Sequence, residues 1–302
     1  MKHLYLNLKR FDIPPEWGGV NRLAPVSKWA STILRETQEA LQTYDLRQVE
    51  FAMFFPEVHL LEALSARTKS SPVKIGCQSV YREDTAFYQE SAAHGKEGTP
   101  QQNKPGSGNF GAFTANRPAA AMAAIGCDSV LIGHCEERKD KMELLIAAGV
   151  TAQAASAAVN QALNQEIRCA TARGLTVLYC IGEKGEEQEQ WQEVLGSQLA
   201  IGLQGIDTSK VVIAYEPVWS IGPGKTPADK DYITKIARFA KEKTAGLDIV
   251  YGGGLKQDNA AMLASIPEID GGLIALTRFQ GEIGFYPEEY LEIVALYLQN
   301  LK

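Results

Sequence analysis

Several patterns that mark other protein classes are missing from this chain of 302 residues. Its five cysteines are widely spaced and form no CxxC pair, which argues against a disulfide framework or a zinc module. No HExxH pattern is present. No run of basic residues stands out in the chain, whose formal net charge is −6. We therefore expect no metal, no cofactor and no nucleic-acid partner.

Long apolar segments are also absent. No stretch approaches the ~18 uninterrupted apolar residues of a membrane-spanning helix. The first residues, MKHLYLNLKRFDIPP, lack the apolar centre of a signal peptide. These absences predict a protein without membrane contact, located in the cytoplasm.

What the chain does contain is a repeated β-strand and helix pattern. Several β-rich runs are apolar without alternation, as in VVIAY (211–215), which is typical of parallel strands covered on both faces. Eight strands alternating with helices predict an α/β fold, either a closed barrel or a doubly wound sheet. The predicted strands are 3–8, 49–55, 73–80, 129–133, 175–181, 210–215, 248–252 and 271–277.

The choice between the two architectures favours the barrel. Barrels of this type run to ~250 residues or more as one domain, and no GxGxxG follows the first strand. We predict one domain over 1–302, a single eight-stranded parallel β/α barrel. The Gly/Pro-rich segment 94–108 predicts a long exposed loop inserted after strand three, and the Ala-rich stretch 140–174 is helical in character.

Reactive side chains follow several predicted strands. Lys9 follows strand one, His134 strand four and Glu216 strand six, while a glycine run at 252–254 follows strand seven. Each has an ordinary structural explanation by itself: a surface lysine, a structural histidine, a carboxylate closing a strand, a tight turn. Because the carboxyl ends of barrel strands meet at one mouth, their joint placement predicts a catalytic site there.

At these residues the chain resembles the triosephosphate isomerase family. GHCEER (133–138) is similar to the family motif GHSERR, and AYEPVWSIGPGKTP (214–227) is similar to AYEPVWAIGTGKT. The motifs CIGE (180–183), GAFT (111–114) and YGGG (251–254) resemble further landmarks of the family in the same order.

The resemblance implies an aldose–ketose isomerase that interconverts glyceraldehyde 3-phosphate and dihydroxyacetone phosphate in glycolysis and gluconeogenesis. Glu216 is then the base, His134 a neutral electrophile at the start of a helix, and Lys9 the cation that stabilises the enediolate. Residues 217–226 would form a lid, and Thr114 would reach the partner's active site in a homodimer. Substrate-binding and supporting roles are implied for Asn7, Gly222, Gly253, Gly254, Ala275 and Leu276, for Glu136 beside Lys9, for Tyr251, and for the apolar pair Ile221 and Leu273.

The chain departs from the family pattern where the phosphate is expected. Gly254 replaces a serine, and Ala275-Leu276 replaces a pair of glycines that lets the backbone approach the phosphate. The first-strand motif also lacks its usual tryptophan. Two alternatives therefore stay open: isomerisation of a related phosphosugar such as a tetrulose phosphate, and a non-catalytic phosphosugar sensor.

Overall fold

Eight parallel strands form a closed barrel in the computed structural model, which describes residues 1–85, 109–220 and 225–301. Each strand pairs with the next along the chain, and the eighth pairs with the first. The predicted barrel is confirmed, whereas the predicted insertion 94–108 lies outside the described residues. The strands are β1 Lys2–Asn7, β2 Val49–Phe55, β3 Val73–Gln78, β4 Ser129–Ile132, β5 Thr176–Ile181, β6 Val211–Tyr215, β7 Ile249–Tyr251 and β8 Gly271–Ile274.

Helices surround the barrel, and none in the described ranges is long and apolar enough to cross a membrane. The predicted helical stretch 140–174 is two helices, because Gly149 takes a left-handed φ of 84° and the Thr151 side chain accepts a hydrogen bond from the Ala154 N–H to cap the next helix. The α-helices of the described ranges are α1 Trp29–Leu41, α2 Leu60–Ala66, α3 Ala119–Ile125, α4 Cys135–Ala147, α5 Ala152–Ala172, α6 Trp191–Gly202, α7 Lys230–Lys243, α8 Gln257–Ala264 and α9 Pro287–Gln299.

Alternating strand residues build two separate apolar layers. In β6, Ile213 and Tyr215 pack in the layer between the strands and the helices, while Val212 and Ala214 belong to the layer inside the barrel. Since side chains along a strand alternate between faces, the next inward position is Glu216. The same alternation in β1 turns Tyr5 and then Asn7 inward. The alternation along β1 and β6 therefore places the polar side chains of Asn7 and Glu216 inside the barrel, at the mouth formed by the carboxyl ends of the strands.

The opposite end of the barrel carries a polar network of its own. His3 Nε2 lies 2.8 Å from Asp248 Oδ2, and the Tyr5 hydroxyl donates to Glu50 Oε1 at 2.5 Å. Burial would raise the pKa of Glu50, but hydrogen bonds from His3, Lys74 and Tyr5 lower it to about 2. In barrels of this type the amino-end face serves stability, so we do not place the chemistry there.

Candidate active site

Glu216 and His134 meet at the carboxyl-end mouth. The Glu216 side chain is only 3% exposed, and its Oε1 lies 3.3 Å from His134 Nε2. The backbone N–H of Cys135 donates to Glu216 Oε2 at 3.0 Å. The structure therefore brings together a carboxylate and an imidazole that are far apart in the sequence.

The hydrogen bonds of His134 assign its tautomer. His134 caps α4, and its Nδ1 accepts the backbone N–H of Glu136 at 3.3 Å. A nitrogen that accepts carries no proton, so this contact favours the tautomer with its hydrogen on Nε2, the atom that faces Glu216. The predicted position of His134 at a helix start is confirmed.

Two glycines allow the backbone of β6 to approach its neighbours at Glu216. A Cβ on Gly182 would lie 2.0 Å from the Glu216 carbonyl oxygen, and one on Gly252 would lie 2.8 Å from Glu216 Cγ. Both distances are shorter than any real carbon contact, so only glycine fits. Glycine is therefore required in the CIGE and YGGG motifs, because a side chain at either position would collide with Glu216.

Lys9 lies in a strained backbone conformation at the end of β1. Its φ of 42° falls in the left-handed region, which a lysine rarely adopts. Asn7 Oδ1 accepts the Lys9 N–H at 3.1 Å, and Gln78 Nε2 donates to the Lys9 carbonyl at 3.2 Å. Such strain persists where the surroundings determine the geometry, as at a functional site.

Gln78 is the residue that the sequence analysis missed. Its amide also lies 3.3 Å from Asn7 Oδ1, so it links β3 to the Lys9 turn. Glu136, in contrast, is exposed, and within the described residues its carboxylate forms no ion pair with Lys9. The predicted support of Lys9 by Glu136 is therefore not seen, because α4 directs that side chain to solvent. The alternation in β3 could have indicated Gln78, an inward position at a strand end.

Glu183 anchors the segment that follows Glu216. It is fully buried and accepts hydrogen bonds from Tyr215 Oη at 2.9 Å, Trp219 Nε1 at 2.8 Å and Tyr232 Oη at 3.0 Å. Burial and the Glu183 charge raise the pKa values of Tyr215 and Tyr232, which therefore stay protonated donors. The chain leading toward the expected lid is thus tied to α7. Ile221 and Gly222 lie outside the described residues.

The residues expected to bind the phosphate are more exposed than Glu216. Gly254 has a φ of 94° and open space where a Cβ would be. Ala275 and Leu276 follow β8, are partly exposed, and do not appear among the described non-glycine residues with positive φ. The turn that replaces the glycine pair therefore needs no left-handed backbone.

The other predicted positions lie nearby. Leu273 is buried in the layer inside the barrel. Burial raises the pKa of the Tyr251 hydroxyl to about 12. A Cβ on Gly253 would lie 2.3 Å from that hydroxyl, so Tyr251 packs directly under the glycine run.

A buried charged cluster supports the loop before His134. Glu137 Oε2 accepts the Gly133 N–H at 2.7 Å, while its Oε1 accepts from Ser79 Oγ and Lys141 Nζ, each at 2.6 Å. Lys141 also lies 3.1 Å from Glu166. Burial and the neighbouring Glu137 charge raise the pKa of Glu166 well above its usual value. Burial also acts to raise the pKa of Glu137, but the charge of Lys141 and the hydrogen bonds that Glu137 accepts outweigh it, so the pKa of Glu137 is lowered. Of the two carboxyl groups, Glu166 is therefore the one that binds a proton more readily.

Glu166→Gln tests this cluster. A group whose pKa is raised on folding binds more protons in the folded state, so its contribution to stability is lost as pH rises from the unfolded value toward the raised one. We expect the free energy of unfolding of the variant, minus that of the parent, to increase as pH rises above ~4.5. Urea unfolding at several pH values measures it. A difference that is constant with pH would show that Glu166 ionises normally.

Comparisons with known proteins bear on this geometry. The profile of the triosephosphate isomerase family matches residues 101–282. The chain belongs to the triosephosphate isomerase family. A triosephosphate isomerase of Pelodictyon phaeoclathratiforme is 40% identical over 178 residues, and one of Chlorobium phaeovibrioides is 35% identical over 184 residues.

The extent of these matches is limited. The alignments cover 55% and 57% of this chain and 64% and 67% of the two triosephosphate isomerases, so the chain spans slightly under two thirds of the first relative's length. A crystal structure of triosephosphate isomerase from Bartonella henselae superposes with a TM-score of 0.67 over 98% of this chain and 99% of that one, at 20% identity. At that identity the superposition shows the shared fold.

Proposed function

We propose that this chain is an aldose–ketose isomerase that interconverts glyceraldehyde 3-phosphate and dihydroxyacetone phosphate. The observation that carries the proposal is the buried Glu216 carboxylate 3.3 Å from His134 Nε2, in a chain of the triosephosphate isomerase family. Lys9 follows the carboxyl end of β1, where Asn7 and Gln78 hydrogen-bond to its backbone, which supports its place at the same mouth. A base, a hydrogen-bond donor and a cation are the groups that an enediolate intermediate requires.

The chemistry follows from the positions of the protons. Glu216 removes a proton from the carbon next to the substrate carbonyl. His134 donates from Nε2 to the carbonyl oxygen, where negative charge develops, and its neutral ring can then carry a proton between the two substrate oxygens. Lys9 stabilises the enediolate by its charge. Each step uses a side chain of this protein and none needs a cofactor.

A second candidate is the isomerisation of a four-carbon phosphosugar. Ala275 and Leu276 place side chains where a glycine pair would leave the backbone bare, and Gly254 lacks the hydroxyl of a serine. Both side chains remain partly exposed after β8. They reduce the room beside the phosphate and shift the reacting carbon relative to Glu216, which a substrate of different length would restore.

The ratio of kcat/KM for the two substrates decides between the candidates. Because a misplacement of ~1 Å can cost ~100-fold in rate, we expect kcat/KM for glyceraldehyde 3-phosphate to lie well below ~10⁸ M⁻¹s⁻¹, with a four-carbon phosphosugar turned over as well or better. Both are measured on one preparation. Near-diffusional turnover of the triose alone would reject the four-carbon substrate. Binding of both without turnover would identify a sensor.

We further propose that the chain forms a homodimer through the loop that holds Thr114. Thr114 is exposed, and Phe110, four residues earlier, is 96% exposed. Exposing the apolar surface of an aromatic side chain to water costs free energy in proportion to its area. A second copy of the chain that packs against Phe110 would bury this surface. Sedimentation at several concentrations tests this, and a monomer at all of them would reject it.

A further inference from the structure

Glu137 departs from the family motif at a position close to His134. GHCEER has glutamate where GHSERR has arginine, three residues after the histidine. A glutamate side chain offers two acceptor oxygens, whereas an arginine side chain has only donors. The side chain at this position can therefore bind N–H and O–H groups that an arginine could not bind.

Two turns at neighbouring strand ends donate hydrogen bonds to Glu137. Gly133, which follows β4, donates its backbone N–H to Glu137 Oε2 at 2.7 Å. Ser79, which follows β3, donates its hydroxyl to Glu137 Oε1 at 2.6 Å. Only 15% of the Glu137 side chain is exposed. One largely buried carboxylate thus spans the ends of β3 and β4.

Both turns have backbone conformations that depend on their surroundings. Ser79 has a φ of 67° and Gly133 a φ of 79°, so both lie in the left-handed region. For a serine this region is strained, and such strain persists where the surrounding structure fixes the geometry. A Cβ on Gly133 would lie 3.0 Å from the Cys180 carbonyl oxygen, so this turn is also closely packed. The hydrogen bonds to Glu137 are contacts that hold the two turns in place.

Each turn leads to a residue of the proposed mechanism. The turn after β4 continues directly into His134. On the other side Gln78 precedes Ser79, and the Gln78 Nε2 donates to the Lys9 carbonyl at 3.2 Å. The Glu137 carboxylate therefore connects the backbone that carries the imidazole with the residue that supports the Lys9 turn.

We propose that Glu137 is a positioning residue that fixes His134 relative to Lys9 for the isomerisation. It acts through the two turns and is not among the residues expected to touch the substrate. Its effect on rate rests on the proposed function, whereas its hold on the two turns does not.

Lys141 supplies the charge that this role needs. Its Nζ donates to Glu137 Oε1 at 2.6 Å from one helical turn further along α4. Burial acts to raise the pKa of Glu137, but the Lys141 charge and the accepted hydrogen bonds lower it. A lowered pKa favours the ionised carboxylate, in which both oxygens are free to accept from the turns.

Glu137→Gln is the variant that releases one turn. Lys141 keeps the amide oxygen of the new side chain at the Oε1 position, because an ammonium group needs an acceptor. The amide NH₂ group then faces the Gly133 N–H, which loses its acceptor. The change therefore frees the turn before His134 while the side chain keeps its size.

The expected kinetic result is a loss of kcat. Because a misplacement of ~1 Å can cost ~100-fold in rate, we expect Glu137→Gln to lower kcat by ~10–100-fold. KM should change little, since the hydrogen bond to Ser79, and with it the Lys9 turn, is retained. The matched control is Glu143→Gln, the same change at a side chain of α4 that is 68% exposed. Its kcat should stay within about two-fold of the parent value.

NMR of isotope-labelled protein separates positioning from a general loss of stability. The Gly133 amide signal and the His134 ring signals should shift in Glu137→Gln and stay in place in Glu143→Gln. Ser79→Ala removes the other hydrogen bond and should leave the Gly133 signal unchanged, since Glu137 Oε2 still accepts from it. A side chain that contributes only to stability would change urea unfolding without this selective pattern.

Two outcomes would overturn the proposal. A kcat of Glu137→Gln within about two-fold of the parent value would do so while leaving the proposed function intact. If the parent has no isomerase activity, the proposed function fails and the signals of Gly133 and His134 decide: a selective shift supports the hold on the turn, and no shift rejects it. Should Glu137→Gln not fold, Glu137→Asp shortens the arm and keeps the charge, and unchanged signals with unchanged kcat would reject the positioning role.

Discussion

Glu216→Asp is expected to lower kcat by ~100-fold or more, because the shorter arm withdraws the carboxylate by more than 1 Å from the carbon it must reach. KM should change little, since the phosphate is bound by other groups. Glu216→Gln removes the base altogether and should lower kcat by ~10²–10⁴-fold. Steady-state kinetics on both variants measure these losses.

The matched control is Glu186→Asp. It makes the same chemical change at an exposed glutamate on the loop after β5, so kcat should stay within about two-fold of the parent value. Glu216→Gln keeps an oxygen that can accept the Cys135 N–H, so its unfolding should resemble that of the parent. Retention of kcat within a few-fold in Glu216→Asp would remove Glu216 from the role of base.

Gly182→Ala is expected to reduce both stability and rate. The new Cβ would lie 2.0 Å from the Glu216 carbonyl oxygen. Gly182 cannot withdraw easily, because its N–H donates to Gln198 Oε1 at 2.9 Å and its carbonyl accepts Gln198 Nε2 at 2.8 Å. The end of β6 must therefore move, at a cost of ~1–3 kcal/mol in the free energy of unfolding. A shift of ~1 Å at Glu216 should lower kcat by ~100-fold.

Gly196→Ala provides the comparison. Gly196 lies in α6, and its added Cβ would lie 3.6 Å from Phe239 Cζ, an ordinary van der Waals contact. Alanine is the better helix former by up to ~1 kcal/mol, so this variant should be as stable as the parent or more so, with unchanged kcat. Denaturant unfolding and kinetics on the pair measure both effects. Equal unfolding free energies and equal kcat values for Gly182→Ala and Gly196→Ala would show that the backbone has room for a side chain next to Glu216 in solution.

Much of the site could be predicted because it follows from local order along the strands. Lys9, His134 and Glu216 each come directly after an apolar run, and the alternation of side chains continues past the strand end. The match of AYEPVW with a known motif then assigned roles to positions that alternation had already placed at the mouth.

Other features depend on which strands and helices are neighbours. Gln78 supports the Lys9 turn from β3 across 69 positions of sequence, and Glu166 reaches the Glu137 side chain from α5. Glu136 was expected beside Lys9, yet the direction of α4 turns its carboxylate to solvent. Helix orientation and strand register set such contacts, and neither is encoded in a short window of residues.

The sequence by itself predicted the eight strands and placed three reactive side chains at strand ends, since hydrophobic periodicity and strand-end placement are local properties. Periodicity left the barrel and the doubly wound sheet both open, and the chain length with the family motifs favoured the barrel. Only the tertiary structure decided the contact of the Glu136 N–H with His134 Nδ1, the glycine-sized gaps around Glu216, the opposite pKa shifts of Glu166 and Glu137, and the approach of Cys135 Sγ to His134 and Glu216. Each of these depends on distances of a few ångströms between segments far apart in the chain, which packing alone sets.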